Sequence, residues 1–229
     1  MKIVYCSDSK TISLLKMSAK TVLKFNPDAE ILVVSKEKLD IPYQNILIDT
    51  KGYNFICPPK ERLTEATYYR LFLPTLGFDR CIYLDCDILC AGSLRELWNM
   101  DIPYIGICPT HDSGKKQSKL LHIPKYGCDA MMLMNCENLK KIHFTETMMR
   151  VLPNIYQAPG GFHFAETLLN AVYFDILTFL PIKWNKCKNR KYTYLKREEC
   201  LFADAIIRHY IGGQKQQQIK DYRKIMEQK

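Results

Sequence analysis

The sequence predicts an α/β fold, a mixed and mainly parallel sheet flanked by helices, and three observations lead there. The run "KIVYC" (2–6) has strand composition, a segment with Ile12, Leu15, Ala19, Val22 and Leu23 at helical spacing follows, and "ILVVS" (31–35) is again strand-like. A strand, a crossover helix and a second strand form a βαβ unit, which implies parallel pairing. Strand-like runs go on alternating with helical ones along the chain. Finally, 229 residues with 47% hydrophobic content and no Ser/Gly/Pro-rich linker suit one sizeable core.

The elements follow in order. "NPD" (26–28) stops the first helix, and "NILI" (45–48) is a weak third strand. "TEATYYRLFLP" predicts a helix with Thr64 as cap and Pro74 as stop. "DRCIYLDCDILC" (79–90) reads as one strand, "SLRELW" as a short helix and "YIGIC" as a strand. Residues 110–126 read as a mobile polar loop, "AMMLMN" (130–135) as a strand, and about Glu137 to Leu152 as a helix. A turn at "APGG" (158–161) precedes the helical "FAETLLNAVYF" and the strand-like "ILTFLP", and "AIIRHYI" (205–211) is a late strand. Residues 1–213 are thus read as the domain and 214–229 as a charged tail, where Ile219, Tyr222 and Met226 share one helical face that can dock on the body.

Composition excludes several classes. No apolar run approaches the roughly 18 residues of a membrane span. "MKIVYCSDSK" is not a signal peptide, because its apolar part ends at Ser7 and Asp8. Together these point to the cytoplasm. The ten cysteines show no C-x-x-C spacing, and Cys6, Cys81 and Cys108 sit in apolar segments, which suits reduced core residues. The net charge of +9 fits nucleic acid, a membrane surface or an anionic substrate, and does not choose among them.

The informative feature is Asp85 and Asp87 within an apolar run. In an extended strand both side chains project to one side while Cys86 faces away. Two adjacent carboxylates repel unless a cation joins them, and oxygen ligands of this kind suit Mg²⁺ or Mn²⁺. The pair follows "CIYL", where a parallel strand would end and where open α/β sheets bind ligands. Late in the chain "HYIGGQK" offers His209, Gly212 and Lys215. An imidazole added to two carboxylates favours Mn²⁺, and Lys215 can neutralise a phosphate. Arg70 can clamp a diphosphate or make an ion pair.

The segments "KIVYCSDS", "TYYRLFLPTL", "CIYLDCDILCAGSLRELWNMDI", "AMMLMNCENLKK", "LLNAVYFDILTFLPIKWN" and "HYIGGQK" resemble glycosyltransferase family 8, which includes bacterial lipopolysaccharide galactosyltransferases and glycogenin. They span residues 2 to 215. The resemblance implies a GT-A type nucleotide-binding fold and transfer of a hexose from a UDP-sugar to a glycan, lipid-linked or protein-linked hydroxyl. It assigns Asp85, Asp87 and His209 to Mn²⁺, or Mg²⁺, and Asp8 to the uracil. Cys6 and Ser7 would line the base pocket, with Arg70 and Cys86 beside the donor and Gly212 and Lys215 at its diphosphate. A metal with Lys215 would stabilise the UDP leaving group, so no protein general acid is needed. Peripheral membrane contact is compatible with this reading.

The chain departs from the family in several places. Thr11 stands where an aromatic residue often stacks on uracil, and "GCDA" (127–130) replaces "FNAG", making Asp129 a candidate for donor hydroxyls. Ala165 and Glu166 replace Asp-Gln, which places a carboxylate beside the reacting carbon. Glu166 then reads as nucleophile or oxocarbenium stabiliser with retention, or as general base with inversion, and Asp87 is its catalytic companion through the metal. Lys215 precedes Gln-Gln rather than Pro-Trp. Other readings stay open. Residues 183–197 interleave seven Lys/Arg with Trp184, Tyr192 and Tyr194, as a single-strand nucleic-acid binder does, although an anionic acceptor also needs positive surface. A haloacid dehalogenase phosphatase wants Thr or Val where Leu89 stands. The third reading is a UDP-sugar binder without activity.

Overall fold

The computed structural model describes residues 1–57, 63–110, 113–156, 163–187, 204–211 and 214–228. The chain opens with β1 (Lys2–Cys6), α1 (Ile12–Phe25), β2 (Glu30–Ser35) and β3 (Gln44–Leu47). Next come α2 (Ala66–Tyr69), continued by a 3-10 turn over Arg70–Thr75, then β4 (Arg80–Leu84), β5 (Ile88–Cys90), α3 (Arg95–Trp98) and β6 (Ile105–Pro109). They are followed by α4 (Ser113–Leu120), β7 (Gly127–Asn135), α5 (Cys136–Lys141), α6 (Phe144–Tyr156) and α7 (Phe164–Tyr173). The chain closes with β8 (Leu177–Phe179), β9 (Lys186–Cys187), β10 (Ile207–His209) and α8 (Lys215–Glu227).

A seven-stranded sheet runs in the order β3-β2-β1-β4-β7-β6-β8, and β5-β10-β9 form a second sheet of three. In the large sheet only β7 opposes its neighbours, β4 and β6; the other pairings are parallel. The fold is therefore α/β with a mixed, mainly parallel sheet. Strand alternation sorts its side chains into two cores. Val4, Cys6, Leu32, Val34, Cys81 and Tyr83 face α2, α5, α6 and α7. Ile3, Tyr5, Ile31, Val33, Ile82 and Leu84 face α1, α3 and the small sheet. Helix α1 buries Leu15, Ser18, Ala19, Thr21 and Val22, spacings that keep one stripe on the sheet. Asn26 ends it: its amide donates to the Val22 carbonyl at 3.1 Å and its Oδ1 accepts from Leu94 N–H at 2.8 Å, tying the helix end to the chain after β5.

Five local expectations are corrected. The run 79–90 is two strands in two sheets, because the chain turns at Asp85–Asp87 between β4 and β5. Residues 113–120 within the expected loop form α4. The helix expected from Glu137 to Leu152 is broken at His143, whose φ of 53° leaves the helical region. At the "TEATYYR" helix the N-cap is Glu65 rather than Thr64, and Pro74 lies inside the 3-10 turn. The tail does form a helix against α1, yet it buries Gln218, Asp221 and Ile225, while Met226 is exposed. Polar residues take the inner face there because Asp221 receives the buried Tyr210 hydroxyl at 2.9 Å and the Gln217 amide at 2.9 Å. Lys24 Nζ caps the helix end through the Ile225 carbonyl at 2.6 Å.

The nine described cysteines are all free and mostly buried, as core residues should be. Trp184 is fully buried, so it offers no face for stacking on a nucleotide base, and Tyr192 and Tyr194 lie outside the described residues. No helix among the described residues is long and apolar enough to cross a membrane.

Candidate active site

The order of strands fixes where a ligand can sit. From β1 the chain proceeds outward through β2 and β3 on one side, then returns to place β4 on the other. In such sheets the crevice opens beyond the carboxyl ends of the two strands flanking that reversal. Here those ends carry Ser7 and Asp8 after β1 and Asp85 after β4.

Beyond β1 lies a cavity of about 620 Å³ whose lining includes Ser7, Asp8, Lys36, Glu65, Phe55 and Tyr69. The Asp8 carboxylate accepts from Lys10 N–H at 3.0 Å, and the Ser7 and Thr11 hydroxyls lie 2.8 Å apart, so this loop is held by its own short bonds. Cys6 is a core residue behind the cavity, and burial raises its thiol pKa well above the ordinary value. Phe55 and Tyr69 bring aromatic surface to a place where the sequence suggested none. Phe55 comes from a loop with no periodicity, and its stack on Tyr68 at 4.8 Å is a tertiary contact that spacing cannot announce.

Beyond β4, the turn brings Asp85 and Asp87 together with His209 at the end of β10. One ligand atom from each lies within 4.8 Å of the others. The cluster is assembled by backbone: Asp85 N–H donates to the Ala130 carbonyl at 2.8 Å, and Tyr210 N–H to the Asp87 carbonyl at 3.0 Å. Cys86 between them is buried with its thiol 3.6 Å from the Cys6 carbonyl, and burial pushes that thiol up to about 12. Nε2 of His209 stands 3.3 Å from Asp87 Oδ1, yet that buried oxygen has no hydrogen-bond partner. An orphaned carboxylate oxygen facing an imidazole nitrogen and a second carboxylate fits a divalent cation. Burial works against a charged His209, but the Asp87 carboxylate prevails and raises its pKa well above the ordinary value.

Arg70 ties this cluster to β7. Its side chain is only 6% exposed, and its two η nitrogens reach Asp85 Oδ1 and Asp129 Oδ2, each at 2.8 Å. Burial, resisted by Arg70, lifts Asp85 and Asp129 to about 6. The register of β6 against β7 shifts between Ile107 and Cys108, which pair with Met132 and Cys128, so Asp129, Ala130 and Met131 have no register partner on β6.

Glu166 approaches from the first turn of α7. Asn170, one turn on, pins that helix to β7: its Oδ1 accepts from Gly127 N–H at 2.7 Å, and its amide donates to the carbonyls of Gly127 at 2.9 Å and Glu166 at 2.8 Å. Tyr126 and Thr167 hydroxyls, 2.8 Å apart, add a second tie. Phe164 starts the helix at φ 42°, a conformation costly for an aromatic residue, and rests on Tyr68 and Tyr156. The half-buried Glu166 carboxyl is pushed up to about 7 by burial, against the pull of the Cys128 thiol and the Asp129 N–H.

The remaining residues lie nearby in sequence. Lys215 is exposed at the start of α8, and Gly212 falls outside the described residues.

Comparison with known proteins adds context. The chain is 26% identical over 156 residues to general stress protein A of Bacillus subtilis, covering 65% of this chain and 54% of that protein. It is 22% identical over 170 residues to lipopolysaccharide 1,2-glucosyltransferase of Escherichia coli, covering 66% and 49%. The chain thus spans about half the length of the curated relatives it matches. Among solved structures, the galactosyltransferase LgtC with donor and acceptor sugar analogues superposes with a TM-score of 0.78 at 18% identity, over 93% of this chain and 88% of that one. That likeness concerns the fold, which is of the same GT-A type. The model of glycosyl transferase family 8 matches residues 2–216, and the chain belongs to that family.

Proposed function

We propose that the chain is a metal-dependent hexosyltransferase. It moves a hexose from a UDP-sugar to a hydroxyl of a glycan, lipid-linked or protein-linked acceptor, with retention of configuration. The observation that carries this is the union of Asp85, Asp87 and His209, with an orphaned Asp87 oxygen, beyond the end of β4, the strand paired with β1.

Two carboxylates and an imidazole suit Mn²⁺ better than Mg²⁺. Bound there, the cation supplies Lewis-acid stabilisation to the charge that develops on departing UDP. Asp85 and Asp87 hold it, and Lys215 adds an ammonium to the diphosphate, joined by Gly212 on the family resemblance alone. Asp8 and Ser7 border the uracil, while Cys6 and Cys86 back that wall. Phe55 and Tyr69 provide the aromatic surface that Thr11 does not. The net charge of +9 supports an anionic acceptor or a contact with an anionic membrane surface on the cytoplasmic side.

Glu166 is assigned as nucleophile. Its carboxylate attacks the anomeric carbon as the bond to UDP breaks and the electron pair leaves with the diphosphate. The acceptor oxygen then displaces Glu166, and its proton passes to the released diphosphate. The carboxyl pKa near 7 also suits a general base, which would give inversion. Proton NMR of the first-formed product separates the two, because an α-linked donor yields an α-linkage only under retention. Glu166→Gln should lower kcat by at least about a thousandfold; unchanged turnover removes Glu166 from the chemistry.

A further inference from the structure

Arg70 is a buried, permanently charged group shared between two carboxylates, and the division is uneven in a useful way. At Asp85, Oδ1 accepts from Arg70 Nη2 at 2.8 Å and also from the Tyr83 hydroxyl. The Tyr83 ring lies under the guanidinium, 4.6 Å from its central carbon. Both donors converge on one oxygen, leaving Asp85 Oδ2 for a cation. Arg70 is kept from reaching that second oxygen by its other bonds. Nη1 is taken by Asp129 Oδ2 at 2.8 Å and by the Asp129 carbonyl at 3.0 Å, and Nε by the Thr67 carbonyl at 2.9 Å.

We propose that Asp129 is a positioning residue for the cation site: by holding Arg70 through Nη1, it keeps Asp85 Oδ2 open and supplies the countercharge Arg70 needs once Asp85 serves a metal. This rests on the cation reading of Asp85, Asp87 and His209. The electrostatics lead there directly. A divalent ion on Asp85 draws off the charge that neutralises Arg70, and two positive groups then face each other across one carboxylate. With Asp129 present the guanidinium keeps a full partner. Without that carboxylate, Nη1 keeps only the neutral Asp129 carbonyl, and the buried guanidinium turns toward Asp85, the one carboxylate left to it, where it competes with the ion for Oδ2.

A group bonded directly to a metal ligand, as Arg70 is to Asp85, typically alters affinity by about 10- to 100-fold, and loss of Asp129 acts through that group. Titration of Mn²⁺ into the full chain, followed by the electron paramagnetic resonance signal of the free ion, reads this without any turnover. Asp129→Asn should weaken Mn²⁺ binding by about 10- to 100-fold, and Asp129→Glu should restore most of it. A lowered Tm with unchanged Mn²⁺ affinity would make Asp129 merely structural and overturn the proposal. Removing a buried countercharge can unfold the chain, so a second comparison is needed. In Arg70→Gln there is no guanidinium to hold, and adding Asp129→Asn should cost no further Mn²⁺ affinity; a further loss refutes the coupling. A wild-type chain that binds no Mn²⁺ overturns the cation reading itself, and this proposal with it.

Discussion

Replacing Glu166 by glutamine should alter the pH dependence of stability in a way that follows from the site. In the folded chain the carboxyl is pushed from 4.5 up to about 7 by burial. The folded state therefore binds the proton more tightly than the unfolded state, and the sign is set: stability contributed by the neutral form is complete below about 4.5 and declines as pH rises toward 7. A rise of that size corresponds to about 3 kcal/mol, an upper bound because the side chain is only half-buried. Glutamine has no such titration. In urea denaturation at pH 5, 6, 7 and 8, Glu166→Gln should gain on the wild type by up to about 2 kcal/mol between pH 5 and 7 and level off by pH 8. Taking the difference removes the contribution of Asp85, while that of Asp129 cancels only in part because the Glu166 charge helps to raise it. A difference that does not change with pH would refute the burial of this carboxyl. Wild-type turnover should rise with pH through about 7, since only the ionised form attacks.

Two further substitutions probe the supports of the site. Asn170→Ala leaves both backbone polar groups of Gly127 without their side-chain partner, so unfolding free energy should fall by about 3 kcal/mol, with weaker donor binding as Asp129 and Glu166 lose their common anchor. Tyr210→Phe strips the buried Asp221 carboxylate of the hydroxyl it accepts from and should cost about 1 to 3 kcal/mol, read by urea denaturation. Equal stability in either variant would show the bond to be idle.

The sheet was legible because its central strands are short apolar runs of strand composition: Ile3 and Tyr5 enter one core and Val4 and Cys6 the other, as do Ile82 and Leu84 against Cys81 and Tyr83. Asp85, Asp87 and His209 were legible as residue types, but not as geometry. Their apolar surroundings suggested one continuous strand, whereas a turn between two sheets brings them together. The tail showed an apolar stripe, and a buried hydrogen bond to Asp221 rotated the helix away from it. Asp129 was visible as a departure, yet its ion pair with Arg70 joins positions 59 residues apart, which no local spacing records. Phe55 and Tyr69 enter the cavity through tertiary packing alone.

Thermal unfolding with UDP and Mn²⁺, each alone and together, tests whether the strand ends of β1 and β4 form one site for a metal and a uridine diphosphate. At one hundred times the dissociation constant a ligand adds about 2.7 kcal/mol, which for a chain of this size raises Tm by roughly 5 to 10 °C. That shift is expected for UDP with Mn²⁺, little for UDP alone, and its loss in Asp87→Ala. A shift by UDP that is indifferent to Mn²⁺ and to Asp87, or no shift under any condition, would contradict it.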